Sequence, residues 1–282
     1  ESIKSLRNAV LSDPYFEKAK SQILYQSANI CDWNEIEINK KLIEKIGMSK
    51  QYVSPFTILS LHDSPQNHKL RSEVYAKAKY FNIQSHKIIK PLKKTEQIRI
   101  GYFSADFHNH ATMYLIARIF ELHNKDKFQI FAYSYGPNIN DEMRQRLIKS
   151  VSCFRDVRLK TDHDIALLAR NDKIDIAVDL KGYTKGGRTG IFAYRAAPIQ
   201  INYLGYPGTL GTDFIDYIIA DHIVIPEPNR NNFTEKIIFM PNSYQPNDNT
   251  RKISKKKITK NAMNLPEKGF IFCCFNNNYK IL

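Results

Sequence analysis

The 282-residue sequence has only four cysteines, at Cys31, Cys153, Cys273 and Cys274. None stands in a C-x-x-C pair and none has a histidine at zinc-finger distance, which argues against a zinc site and against a disulfide framework. Cys273 and Cys274 are adjacent in a run that reads as a strand, so their side chains are expected on opposite faces. Buried free thiols in a reducing compartment follow as the expectation. The chain also lacks any run of about 18 apolar residues, which argues against a membrane-spanning helix. Its first residues lack the apolar core of a secretory signal. The expected location is the cytoplasm. The 11 glycines never fall into the G-x-G-x-x-G or G-x-x-x-x-G-K-[ST] spacing, so neither a dinucleotide fingerprint nor a Walker loop is supported.

What the sequence does have is positive charge: 42 Lys+Arg against 28 Asp+Glu, a net +14. An excess of this size suits nucleic acid, an acidic membrane or an anionic substrate. Here the charge is spread along the chain, with one dense run at Lys255-Lys256-Lys257. No RNA-binding or helix-turn-helix signature accompanies it. A general bias toward Lys, Asn and Ile accounts for it, and neither a nucleic-acid nor a membrane partner is expected. The length allows one large or two small domains, and 43% hydrophobic residues suffice for a core.

Two textures divide the chain. Residues 1–90 read as helices. Ser12-Asp13-Pro14 suggests a cap and first turn for a helix over residues 15–30. Asp32 can cap a second helix with an apolar stripe of Ile36, Leu42, Ile43 and Ile46, ended by Gly47. A third is expected over residues 54–61. A fourth starts near Ser64-Pro65, with Leu70, Val74, Ala78 and Phe81 at helical spacing. Such hairpins suit the end of a helical repeat array, although no 34-residue period is visible; a scaffold role is expected. Residues 83–96 read as a Lys- and Pro-containing linker.

From residue 97 to 282 the pattern becomes strand and helix in alternation. Strands are expected at 98–104, 128–134, 174–180, 199–204, 217–220, 236–240 and 270–275. Helices are expected at 112–122, 141–150 and 162–170. This alternation predicts an α/β, Rossmann-like parallel sheet covered by helices. Ligands of such sheets sit outside the carboxyl ends of the strands, so the loops after each strand are the candidates for chemistry.

After the first strand comes Ser104-Ala105-Asp106-Phe107-His108-Asn109-His110. A histidine between a strand end and a helix start is biased toward the neutral imidazole, and His110 can accept a proton from a hydroxyl. Asp106 either orients an imidazole or caps the next helix. The loop Lys181-Gly182-Tyr183-Thr184-Lys185-Gly186-Gly187-Arg188 combines close backbone approach with positive charge; a solvated turn explains it equally well. Gly205-Tyr206-Pro207-Gly208-Thr209-Leu210-Gly211 is a stiff turn whose free backbone N–H groups can bind hydroxyls or an anion; turn chemistry alone also explains its glycines. Lys280 follows the last expected strand, where a lysine can neutralise phosphate; on the residues alone, one more surface lysine in a Lys-rich chain is the better reading. Asp162-His163-Asp164 has the D-x-D form of metal-dependent transferases. It precedes the helical run IALLAR, so Thr161 or Asp162 is expected to be an N-cap instead. No other cluster has metal-ligand spacing.

The strings IRIGYFSADFHNHAT, VDLKGYTKGGR, RAAPIQINYLGYPGTLGTDFIDYIIAD and FCCFNNNYK occur in that order. Together they resemble the N-terminal catalytic lobe of the O-GlcNAc transferase and SPINDLY-like glycosyltransferases. CDW at Cys31 and SPF at Ser54 resemble the stretch that joins the family's tetratricopeptide repeats to the catalytic region. The resemblance implies a GT-B architecture of two Rossmann-like lobes. It implies metal-independent, inverting transfer of N-acetylglucosamine from UDP-GlcNAc to Ser or Thr of an acceptor protein, with no cofactor beyond the donor. It assigns His110 as the proposed proton acceptor and Lys280 as a phosphate contact. Asn277 stands where animal members carry a UDP-contacting glutamine. Gly205, Pro207, Gly208 and Thr209 match a loop lining the sugar, and Tyr183, Lys185 and Arg188 a loop at the cleft. In the family a second lobe follows the FNNNYK motif and carries most UDP contacts. The chain is therefore expected to be C-terminally truncated and inactive alone, with the missing lobe as a partner. The alternatives are a non-catalytic remnant that holds an acceptor protein, and a lobe using another nucleotide sugar such as GDP-fucose.

Overall fold

The computed structural model describes residues 2–49, 51–83 and 96–280. The helical region contains α1 (Ser2–Ser12), α2 (Glu17–Asn29), α3 (Trp33–Ile38), α4 (Lys40–Ile43), α5 (Pro55–Leu59) and α6 (Pro65–Tyr80). Two caps act as the sequence suggests. Asp32 accepts from the Glu35 N–H at the start of α3, and Ser64 accepts from the Asn67 N–H at the start of α6. Three expectations fail. Ser12-Asp13-Pro14 does not start the helix over residues 15–30. Ser12 ends α1, the Asp13 carboxylate closes a turn on the Tyr15 N–H, and α2 begins at Glu17. The stripe from Ile36 to Ile46 does not lie on one helix, because the chain breaks at Asn39. On α6, Leu70 and Phe81 are exposed, and the buried residues are Arg71, Ser72 and Ala76.

That inversion has a polar cause. The Arg71 guanidinium donates to the carbonyls of Ile46 (2.9 Å) and Ile43, and it lies 3.2 Å from His62 Nδ1. Carbonyls at the end of a short helix lack partners within it and attract a cation. Arg71 supplies that cation for α4. The apolar spacing of α6 therefore loses to the need of buried carbonyls for a donor.

Beyond the linker expected over residues 83–96, of which 84–95 lie outside the described residues, the chain forms a seven-stranded sheet. Its strands are β1 (Ile98–Ser104), β2 (Phe128–Ser134), β3 (Cys153–Asp156), β4 (Ile176–Asp179), β5 (Ile199–Asn202), β6 (Tyr217–Ala220) and β7 (Lys236–Phe239). All pairings are parallel, in the order β3-β2-β1-β4-β5-β6-β7. The Rossmann-like class expected from the alternation is the one observed. Both faces of its central strands are buried, as a parallel sheet requires, while the edge strands β3 and β7 are partly exposed. On one face Ile100, Tyr102 and Ile130 pack with α7 (Ala111–Leu122) and α8 (Glu142–Ser150). On the other, Phe103 stacks on Tyr133 at 4.4 Å beneath α9 (Asp162–Asn171) and α10 (Gly190–Ala193). Strand β3 and helix α10, each four residues long, carry too little periodicity to be read from sequence.

The chain builds outward from β1 to β3 and then returns to place β4 on the other side of β1. The loops after β1 and β4 therefore diverge from adjacent strand ends, which is the crevice where such sheets bind ligands.

The strand expected at 270–275 does not form. Phe270, Phe272 and Phe275 are exposed, and no described strand pairs with the segment. Apolar β-branched and aromatic residues favour a strand only where a neighbour supplies a ladder and a face to cover. The thiol expectation fails with it: Cys31, Cys273 and Cys274 are exposed and Cys153 is half-buried.

Candidate functional site

Loops after four strands (the β2 loop through Pro137) and two outlying segments wall a cavity of about 930 Å³ at the β1/β4 crevice. The β1 loop supplies Asp106, His108 and His110, the β4 loop Lys181 and Lys185, and the β5 loop Gly205 and Pro207. Asn277, Tyr279 and Lys280 close one side. Phe56, Leu59 and Ser60 from α5 and the residue after it complete the wall, so the helical region does more than the expected scaffolding.

The outlying segment is held by aromatic contacts. Residues Asn278–Lys280 form a short 3-10 helix. Tyr279 packs against Tyr25 (5.2 Å between ring centroids) and Phe56 (6.3 Å), and the Asn278 amide donates to the Asn29 carbonyl. These contacts bring Lys280 over the strand ends although no strand carries it there. Among the described residues neither Lys185 nor Lys280 has an ion-pair partner, and both are exposed. Two uncommitted cations at one cavity suit an anionic ligand.

His110 is itself the N-cap of α7, with Nδ1 accepting from the Thr112 N–H at 3.2 Å. The same Nδ1 lies 3.3 Å from Asp106 Oδ2. That carboxylate oxygen also receives Lys181 Nζ at 2.7 Å and the Thr112 hydroxyl at 3.3 Å. Asp106 therefore takes both sequence-level roles, facing the imidazole and bonding the first turn of α7. The Asp106–Lys181 pair is buried, with side chains 9% and 7% exposed. Partial burial lowers the His110 pKa below its ordinary value; Asp106 opposes the shift, and Lys181 and His108 reinforce it. The balance favours the neutral imidazole.

Beneath the β4 loop, Asp179 Oδ1 accepts the N–H groups of Lys181 (2.9 Å) and Gly182 (3.0 Å). Its burial pushes the carboxyl up to about 6. This anchor fixes the backbone from which Lys181 reaches Asp106. Nothing in the local sequence signals the Asp106–Lys181 pair, whose members are 75 residues apart.

The other sequence-chosen residues lie off the cavity wall. Tyr183 is buried, donates to the Leu210 carbonyl and packs on Tyr75 of α6. Arg188 binds Asp162 and the Lys160 carbonyl. Thr209 donates to Glu235, and the Gly208 carbonyl accepts from Asn202. Of the N–H groups of the β5 turn expected to be free, three are committed, while those of Tyr206, Gly208 and Thr209 have no hydrogen-bond acceptor among the described residues. Gly205 donates to the Tyr203 carbonyl, Leu210 to Glu235 and Gly211 to Thr209. The D-x-D triplet is a helix start, with the Thr161 hydroxyl accepting from the Asp164 N–H. Among the described residues no helix is long and apolar enough to cross a membrane.

A parallel sheet with a cationic, histidine-bearing cavity at its switch point defines a Rossmann-like fold with a candidate ligand site. The chain belongs to glycosyl transferase family 41, whose sequence model matches residues 30–260. It is 39% identical over 191 residues to a probable UDP-N-acetylglucosamine–peptide N-acetylglucosaminyltransferase, SEC, of Arabidopsis thaliana, a match covering 66% of this chain and 20% of that protein. It is 32% identical over 235 residues to the UDP-N-acetylglucosamine–peptide N-acetylglucosaminyltransferase of Caenorhabditis elegans, covering 76% of this chain and 20% of that protein. A solved mutant of the Thermobaculum terrenum O-GlcNAc transferase superposes with a TM-score of 0.64 at 25% identity, covering 86% of this chain and 41% of that one. The chain thus spans about a fifth of the length of these curated relatives.

Proposed function

We propose that the chain is part of a protein O-linked N-acetylglucosaminyltransferase that takes UDP-GlcNAc as donor and a Ser or Thr hydroxyl as acceptor. The observation that carries this reading is the convergence of His110, Gly205, Pro207, Asn277 and Lys280 on one cavity at the sheet's switch point. Family membership and the activities named for the relatives support the same donor.

In this reading the acceptor oxygen attacks the anomeric carbon, the bond to UDP breaks, and His110 Nε2 takes the hydroxyl proton. For that, the ring proton sits on Nδ1 and is shared with Asp106 Oδ2, in place of the Thr112 bond to Nδ1. Lys280 and Lys185 offset the charge that builds on the departing diphosphate. Gly205 and Pro207 present a side-chain-poor wall to the sugar. Tyr183, Arg188, Gly208 and Thr209 act in this reading through the shape of the loops and not by touching the donor.

The test is label transfer to a Ser/Thr peptide by the protein together with the second lobe that the family resemblance implies, with UDP-GlcNAc and GDP-fucose compared. Transfer from UDP-GlcNAc is expected. Transfer from GDP-fucose alone would replace the donor assignment, and peptide binding without transfer from either would favour an acceptor-binding role.

A further inference from the structure

The β1 and β4 loops meet at a single oxygen. Asp106 Oδ2 receives the Lys181 ammonium at 2.7 Å and stands 3.3 Å from His110 Nδ1. Lys181 is fixed from its own backbone, because Asp179 holds the Lys181 and Gly182 N–H groups. Its Nζ cannot leave Asp106 without stranding a buried carboxylate, a state that low-dielectric surroundings penalise heavily. The cation is therefore a built part of the imidazole's environment.

We propose that Lys181 is a positioning residue for His110: by pairing with Asp106 it sets how strongly that carboxylate can hold a proton on the imidazole. An unpaired Asp106 next to Nδ1 would stabilise the imidazolium. With Lys181 in place much of the carboxylate's charge is compensated. That compensation favours the neutral ring, and Asp106 still offers an acceptor to an Nδ1 proton. The charged and titratable groups around the imidazole are Asp106 and His108 on its own loop, Lys181 and Lys185 on the β4 loop, and Lys280 on the Asn278–Lys280 segment. The downward bias on His110 from Lys181 and upward bias from Asp106 agree in sign with this arrangement.

This inference rests on the reading of His110 as the base only for its consequence in catalysis; the titration itself does not depend on it. The experiment is histidine-observed NMR titration of the full chain, with the His110 resonance assigned through His110→Gln. Lys181→Met is expected to raise the His110 pKa by about one unit, a roughly tenfold shift in protonation equilibrium. Lys181→Arg should restore a value within a few tenths of a unit of the native one. Should Lys181→Met fail to fold, Asp106→Asn provides the second reading: it leaves Lys181 unpaired beside the ring and is expected to lower the His110 pKa. A folded Lys181→Met in which His110 titrates as in the native chain overturns the proposal. So does an Asp106→Asn chain whose His110 pKa is unchanged or higher. In an active form of the protein, Lys181→Met should move the acid limb of the kcat profile to higher pH. If His110→Ala leaves transfer intact while these titrations shift as stated, the base assignment fails and the Lys181 inference stands.

Discussion

Alanine at Gly205 or at Gly136 is expected to lower the stability of the fold by about 3 kcal/mol or more each. The reason is the closeness of the strand-end loops. A Cβ at Gly205 would stand 2.1 Å from the Leu180 carbonyl oxygen and 3.2 Å from Lys181 Cα. At Gly136 it would stand 1.8 Å from the Ala105 carbonyl oxygen. Contacts between non-bonded heavy atoms are favourable only near 3.5–4.0 Å, and both obstacles are backbone, which no rotamer change can remove. The two glycines therefore let the β2 loop sit on the β1 loop and the β5 loop on the β4 loop. Thermal unfolding should drop by roughly 6–12 °C for each variant. Gly208→Ala is the internal comparison. The atoms nearest its Cβ would belong to the Tyr206 side chain, at 3.0 Å, and not to backbone, and a smaller loss is expected. Melting curves for Gly205→Ala and Gly136→Ala that overlay the native one would mean that the loops are not packed this closely.

His110→Ala is expected to lower sugar transfer by about 10²–10⁴ in kcat, the usual worth of a positioned general base. The side chain caps α7 as well as facing the cavity, so a loss of activity has two possible origins. His110→Asn separates them. Asparagine is among the best N-cap residues and retains the helix start without a basic nitrogen. If the loss comes from the missing base, both variants are equally slow, and His110→Asn melts within about 1 °C of the native protein. Recovery of most activity in His110→Asn would assign the residue to the cap and end its catalytic role. Measured at saturating donor, the defect should fall on kcat and leave KM nearly unchanged, because the imidazole acts on the acceptor proton.

How much of this was legible in the sequence depends on the distance over which each feature is decided. Strands β1, β2 and β6 have the bounds that their apolar patterns predict, because a central parallel strand is buried on both faces and reads as a continuous hydrophobic run. The loops after β1, β4 and β5 were found for the same reason, since strand ends locate them. The run at 270–275 has the same composition but pairs with no described strand, so the same signal misleads. The stripe on α6 misleads for another reason: the carbonyls of Ile43 and Ile46 claim Arg71, and no periodicity measures that demand. Tyr183 and Thr209 stand in site-like motifs, yet they pack the loops together. Conversely, the Asp106–Lys181 pair joins residues 75 apart, and the Tyr25–Tyr279–Phe56 contacts join segments from opposite ends of the chain. Tertiary contact decides these, and local sequence does not.

The central claim is that the cavity at the β1/β4 strand ends, and not some other surface of the lobe, receives the nucleotide sugar. Histidine-observed NMR of the chain titrated with UDP tests it directly, because the described histidines lie both at the cavity and away from it. The resonances of His108 and His110 should shift with added UDP, with the effect weakened by Lys280→Ala, while those of His62, His68, His123 and His222 stay in place. Shifts confined to the latter group, with His108 and His110 unmoved, would contradict the account.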